Sequence, residues 1–228
     1  DCTRACGFCA VDTARPKPLD PEEPAQVAEA AADLDLAHVV ITSVNRDDLA
    51  DGGAAHFRAT VDAVHARLPE AAIEVLTPDF CGDLEAVMQV ASGPIDVFNH
   101  NVETTPRLYA RVRPRARYAQ SLEVLQTVAR EAPTKTVKSG FMVGLGETPD
   151  EIFALMDDLA AHGVDIVTIG QYLRPSLKHV PVVSYLEEKA YASFVAHGRE
   201  IGLASVFAGP LVRSSYNAAE ALREANRG

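Results

Sequence analysis

The sequence has no run of roughly 18 or more apolar residues, so no segment reads as a membrane-spanning helix. Cations are in deficit: 21 Lys and Arg against 32 Asp and Glu give a net charge of −11. A field of that sign excludes a general binder of nucleic acid or anionic membrane, although it leaves a local basic patch open. Cysteine is sparse, with four in 228 residues. A secreted disulfide scaffold would be shorter and denser in Cys. There is no charged leader followed by an apolar stretch, and the first residue is Asp1, not Met. The expectation is therefore a native start upstream and a reducing compartment: the cytoplasm, or an organelle matrix if a transit peptide has been lost. Low-complexity stretches and short repeats are missing too, which favours one domain.

What is present is an alternation. With 47% hydrophobic and 23% charged residues the chain is an ordinary globular one, long enough to bury a sizeable core. Periodicity predicts helices over 21–36, 54–68, 83–91, 119–131, 149–162, 186–201 and 216–226. Short apolar runs between them predict strands over 38–42, 73–77, 96–99, 138–143, 165–170 and 204–208. Thr148, Pro149 and Glu151 form a capping box that marks one helix start. The runs are continuous rather than alternating, so the strands should be covered on both faces of a parallel α/β sheet, closed or nearly closed into a barrel. Function in such folds sits on the carboxyl rim. Five successive rim loops here, TSVNRDDLADGG, TPDF, NHNVET, GLGET and GQYLRPS, are rich in polar and turn residues.

Three of the four cysteines fall in the first nine residues. Cys2, Cys6 and Cys9 form C-x3-C-x2-C, with Cys81 standing alone. Three thiolates on one tight loop suit three corners of a cubane iron–sulfur cluster and leave a fourth iron without a protein ligand. Two alternatives stay open at this level. A structural zinc would want a fourth ligand, for which only His38 or Cys81 offers itself; a disulfide would leave a spare thiol. Cys81 reads as a small buried or half-buried thiol. Ser214 and Ser215 read first as caps of the last helix. Gly144 and Gly146 leave backbone amides open to a close ligand, although a lone Gly-x-Gly is a weak signal. Arg111, Arg113, Arg115 and Arg117 concentrate four cations within seven residues.

The C-x3-C-x2-C spacing, with Phe8 just before the last Cys, resembles the signature of the radical S-adenosylmethionine (SAM) superfamily. Within it the segments CTRACGFCAVDT, TSVNRDDLADGGAAHF, IEVLTPDF, VFNHNVETTPRLY, VRPRARY, KSGFMVGLGET, IGQYLRPS and AGPLVRSSY, in this order, resemble the lipoyl synthase family. The resemblance implies a partial (β/α)6-type TIM-like barrel whose first strand is missing from this chain. Residues 1–228 would be the core domain with an RSSY segment at 213–216, and the upstream segment for an auxiliary cluster would be absent. It implies a 4Fe–4S cluster on Cys2, Cys6 and Cys9 that reduces SAM, and a 5′-deoxyadenosyl radical that takes hydrogen from a protein-bound octanoyl chain. Sulfur from a second 4Fe–4S cluster, held by three upstream cysteines and Ser215, would enter at carbons six and eight. Asn99, Asn101 and Glu103 become candidates for SAM's ribose hydroxyls or amine, Lys138 or an Arg of 111–117 for its carboxylate, and Gly144 and Gly146 for its adenine. Implied partners are an octanoylated lipoyl carrier, which part of the arginine run would meet, an electron donor and an iron–sulfur assembly protein. Nucleic acid and membrane are not expected. Another radical SAM sulfur inserter, or a non-catalytic iron–sulfur or zinc module, stands as the competing reading.

Overall fold

The apolar periodicities fold as a repeating strand–helix unit in the computed structural model, which describes residues 1–225. In chain order the elements are α1 (Glu23–Asp33), β1 (His38–Thr42), α2 (Ala54–Arg67), β2 (Ala72–Leu76), α3 (Leu84–Ala91), β3 (Val97–Asn99) and α4 (Tyr109–Val112). They continue as α5 (Tyr118–Glu131), β4 (Thr136–Val143), α6 (Pro149–Ala161), β5 (Ile166–Gln171), α7 (Glu188–Glu200), β6 (Ser205–Gly209) and α8 (Ala218–Ala225). The six strands of the sequence reading are all found within two residues of their expected starts. Sequence periodicity missed α4 and the single 3-10 turns Phe80–Gly82 and Pro106–Leu108, which are too short to carry a period. The last helix was expected over 216–226; it starts at Ala218, and residue 226 lies outside the described residues.

All six strands are parallel and ordered β1-β2-β3-β4-β5-β6, and every described strand follows the cysteine loop. One face of the sheet carries Val39, Ile41, Ile73, Val75, Phe98, Val137, Val143, Val167 and Ile169 into a single apolar core with the helices. Because side chains alternate along a strand, the other face receives Glu74, Asn99, Lys138, Gly140, Thr168 and Gly170. The eight-residue α8, only about 12 Å long, touches both edge strands, β1 and β6. The sheet is therefore curled into an incomplete barrel with its polar face inside. Capping follows the sequence at α6, where Thr148 Oγ1 accepts from Glu151 N (3.3 Å) and the Glu151 carboxylate accepts from Thr148 N (2.8 Å). No described helix is long and apolar enough to cross a membrane.

Candidate active site

The cysteine loop lies over the carboxyl ends of the strands and is fastened on three sides. Cys2 bridges to Thr13, with Cys2 N donating to Asp12 O at 2.9 Å. Thr3 Oγ1 donates to Asn45 O (2.9 Å) in the loop after β1. Gly7 N donates to Val112 O (2.8 Å) at the end of α4, and Val180 N donates to Gly7 O (2.9 Å). A Cβ at position 7 would stand 2.9 Å from both Arg111 O and Val180 Cγ1, so only glycine lets the loop pass between these two segments. The strap after β5 completes the enclosure: His179 Nε2 donates to Cys9 O (3.0 Å), and Tyr172 Oη donates to Val180 O (2.8 Å).

Cys2, Cys6 and Cys9 open onto one cavity of about 250 Å³, lined also by Phe8, His100, Asn101, Glu103 and Arg113. All four cysteines are free thiols, so the disulfide alternative is not adopted. Burial pushes the Cys6 thiol up to about 11, with Arg113 opposing and Cys9, Glu103 and Cys2 adding repulsion. A site crowded with incipient negative charge is one a cationic metal centre relieves by displacing the thiol protons. No group of three or more His, Cys, Asp or Glu among the described residues converges as a single metal ion requires. Three thiols around a shared cavity fit a polynuclear group, whose ligands sit on different metal atoms, better than tetrahedral zinc.

A second cavity of about 320 Å³ shares Phe8, Leu76, Asn101 and Glu103 with the first and extends over Gly140, Met142, Thr168, Gly170 and Gln171. Its far wall is Val212, Arg213 and Ser214. Gly170 is what admits that wall: a Cβ there would lie 2.2 Å from Val212 O. Asn101 stands between the cavities, donating from Nδ2 to Ser214 Oγ (2.6 Å), while its buried Oδ1 has no partner. Glu103 holds a left-handed backbone (φ +67°) and anchors through Glu103 N to Gly140 O (3.0 Å). Burial pushes its carboxyl up, against the pull of Arg113. His100, with Nε2 against Ser121 Oγ (3.0 Å), is driven down to about 4 by burial and is neutral at pH 7.

The structure thus gathers Cys2, Cys6, Cys9, Asn101 and Glu103, and separates the other candidates. Lys138 and Asn99 are fully buried inside the barrel: Lys138 Nζ donates to Glu74 Oε1 (2.8 Å) and Asn99 Nδ2 to the same atom (3.3 Å). Neither lines a rim cavity, because Lys138 sits five residues below the end of β4, roughly 16 Å along the strand. Gly144 and Gly146 do take positive φ, +97° and +110°. The amides of Gly144 and Leu145 are not open to a ligand, however, since the Glu147 carboxylate accepts both. Ser215 is exposed and Ser214, not Ser215, faces the cavity. Neither serine caps α8, which begins beyond both, after Asn217.

Cys81 is exposed, not buried, and it sits in a left-handed turn with its thiol donating to Asp47 Oδ1 (3.3 Å). The arginine run divides. Arg113 is buried and donates to the carbonyl of Asn101 (2.9 Å), holding the rim loop, whereas Arg111, Arg115 and Arg117 are exposed. Sequence reasoning also missed the roles of His179, Asp47, Asp79 and Arg4: Asp47 and Asp79 stood only as members of polar rim motifs, Arg4 as a spacer between two cysteines, and His179, three residues past GQYLRPS, carried no signal.

Comparisons with known proteins identify the family. The radical SAM superfamily model matches residues 1–159. A lipoyl synthase of Rubrobacter xylanophilus is 54% identical over 227 residues, covering 100% of this chain and 71% of that protein. One of Thermus thermophilus is 52% identical over 228 residues, covering 99% and 71%. Among solved structures, methylornithine synthase superposes with a TM-score of 0.70 at 13% identity, over 99% of this chain and 78% of that one. Streptococcus suis SuiB bound to S-adenosylmethionine gives 0.69 at 11% identity, over 92% and 48%. Those structural likenesses speak for the barrel alone. The sequence identities, measured over nearly the whole chain, make it a member of the lipoyl synthase family of the radical SAM superfamily.

Proposed function

We propose that the chain inserts two sulfur atoms, at carbons six and eight, into an octanoyl group carried on a lipoyl carrier protein or domain. Residues 1–228 form the core domain, with 213–216 contributing to the site. The observation that carries this reading is the pair of joined cavities, one ringed by three thiols and the other walled by Arg213 and Ser214. Cys2, Cys6 and Cys9 would hold a 4Fe–4S cluster, each giving up its thiol proton. When bound, that cluster supplies an electron and SAM supplies the radical that removes hydrogen from an unactivated carbon.

Asn101 and Glu103 would orient SAM, a reading supported by the unpartnered Asn101 Oδ1, which could accept from a hydroxyl or amine. The Glu103 carboxyl, which lines both cavities, would accept from the amine or hydroxyls of SAM. Phe8, Leu76, Phe141, Met142 and Leu173 line the second cavity and exclude water along an acyl chain. Ser215, exposed beside that cavity, is the proposed serine ligand of an auxiliary 4Fe–4S cluster, its other ligands lying outside this chain. An electron donor and an iron–sulfur assembly protein complete the partners, in a reducing, cytoplasmic compartment that suits four free thiols.

The test is anaerobic reconstitution followed by reduction with SAM. About four irons per chain on these three thiols, with 5′-deoxyadenosine formed, supports the reading. Bound zinc without SAM cleavage overturns it. Lipoyl product formed at the normal rate by a full-length Ser215→Ala protein would remove the serine assignment.

A further inference from the structure

Between two of the proposed iron ligands stands a buried cation that the mechanism above does not use. Arg4 takes two carboxylates at once. Nη1 and Nη2 donate to Asp79 at 2.8 and 2.7 Å; Nε and Nη2 donate to Asp47 at 2.8 and 3.0 Å. Asp47 lies in the loop after β1 and Asp79 in the loop after β2, so one guanidinium joins three segments that are distant in sequence. The planar five-donor fork of arginine is what makes such double engagement possible.

The contacts continue on both sides. Asp79, with no exposed surface, also accepts from Cys81 N at 3.1 Å. That bond secures a turn in which Phe80, Cys81 and Gly82 all have positive φ, +45°, +55° and +84°. Non-glycine residues hold that region only where their surroundings over-determine it. Toward the site, the Arg4 amide donates to Cys2 Sγ at 3.4 Å. A continuous line of bonds therefore runs from a left-handed turn, through Asp79 and the Arg4 guanidinium, to the sulfur of an iron ligand.

A buried ion pair seldom stabilises a fold more than apolar side chains of the same volume would. Its stronger use is to fix geometry. We propose that Arg4 is a positioning residue: the Arg4–Asp79–Asp47 clamp sets the cysteine loop before metal arrives and holds the amide that bonds Cys2 Sγ. Through that bond it governs cluster assembly, retention and reduction potential, because hydrogen bonds to the sulfurs tune the potential. This rests on the reading of Cys2, Cys6 and Cys9 as iron ligands.

The experiment compares wild type with Asp79→Asn, Asp47→Asn and Arg4→Lys, and uses as control Asp48→Asn, whose carboxylate pairs with Arg46 rather than Arg4. Three readouts are taken: the rate of iron loss to a chelator, the reduction potential followed by EPR, and hydrogen exchange of amides 2–9 in the metal-free protein. Asp79→Asn is expected to lose iron roughly 10–100-fold faster, as partners behind a metal ligand commonly cost. Its potential should shift, and exchange at 2–9 should rise. Asp47, with a side chain 23% exposed, should give the same signs at smaller size. Lysine at position 4 should not rescue, since a single point charge cannot span two carboxylates. If Asp79→Asn does not fold by circular dichroism, Asp47→Asn and Arg4→Lys carry the test. Wild-type iron loss, potential and exchange in those two variants would overturn the clamp. A wild-type protein that takes up no iron would instead overturn the ligand assignment beneath it.

Discussion

Two groups of buried charge serve this molecule differently. Inside the barrel, Lys138, Glu74, Asn99 and His38 meet across four adjacent strands, with Lys138 on Glu74 at 2.8 Å and His38 at 3.7 Å. At the rim, Arg4 meets Asp79 and Asp47 across three loops. Burial pushes both Glu74 and Asp79 up, and in each case the partners outweigh it and hold the carboxyl below its usual range. The difference lies in what the bonds join. The strands of the inner group are already held by their parallel ladders, and it leaves His38 Nε2, Glu74 Oε2 and Asn99 Oδ1 without hydrogen-bond partners. The loops of the rim group have no ladder between them, and every oxygen of its two carboxylates is engaged. The first group supports the fold; the second places a loop.

The most severe way to break the rim side is Cys6→Ala. Loss of one of three ligands should abolish stable iron binding and SAM cleavage while leaving the fold, checked by circular dichroism, intact. The matching break on the inner side is Lys138→Ala. It strands Glu74 as an uncompensated buried charge and should cost about 3–5 kcal/mol in urea unfolding. SAM affinity of the folded variant should not change. A tenfold weaker SAM affinity at unaltered stability would move Lys138 out of the inner group and into the site.

Charge reversal at the exposed Arg115 and Arg117 should weaken carrier binding, and the loss should shrink as salt rises. Affinity that stays constant across salt removes that docking role. Arg113 belongs to the fold and is not part of this test. The smallest effect concerns α6. Arg107 holds the Glu151 carboxyl down, from an ordinary 4.5 to about 2. A depressed folded value means that the contribution is complete above pH 4.5 and is lost as pH falls toward 2. The exposed setting limits it to under about 1 kcal/mol. Glu151→Gln should accordingly flatten the acid limb of the thermal-stability profile slightly.

Local chemistry was the legible part. Strand and helix spans followed from apolar runs, and the three-thiol loop announced itself because its ligands are neighbours in sequence. Position along a strand was harder to read. Lys138 was correctly put on β4, yet a strand with eight residues has an interior end and a rim end, and the ladder decides which residue reaches which. The Gly144–Gly146 loop looked open because glycine advertises freedom; Glu147, immediately after it, fills the amides itself. The clamp was invisible, since Arg4 and Asp79 are 75 residues apart and nothing local to either names the other.

Those separations have a temporal meaning. Arg4 finds its carboxylates 43 and 75 residues on, whereas His179 covers Cys9 from 170 residues away and Ser214 meets Asn101 across 113. The contacts that fasten the loop to Asn45, Asp47, Asp79 and Val112 lie in the first half of the chain, and the segment that roofs it lies in the second. Contacts of short sequence separation form first because less chain must be ordered to close them. What aligns the thiols and what covers them are thus separate stretches of chain, the first ahead of β4 and the second after β5.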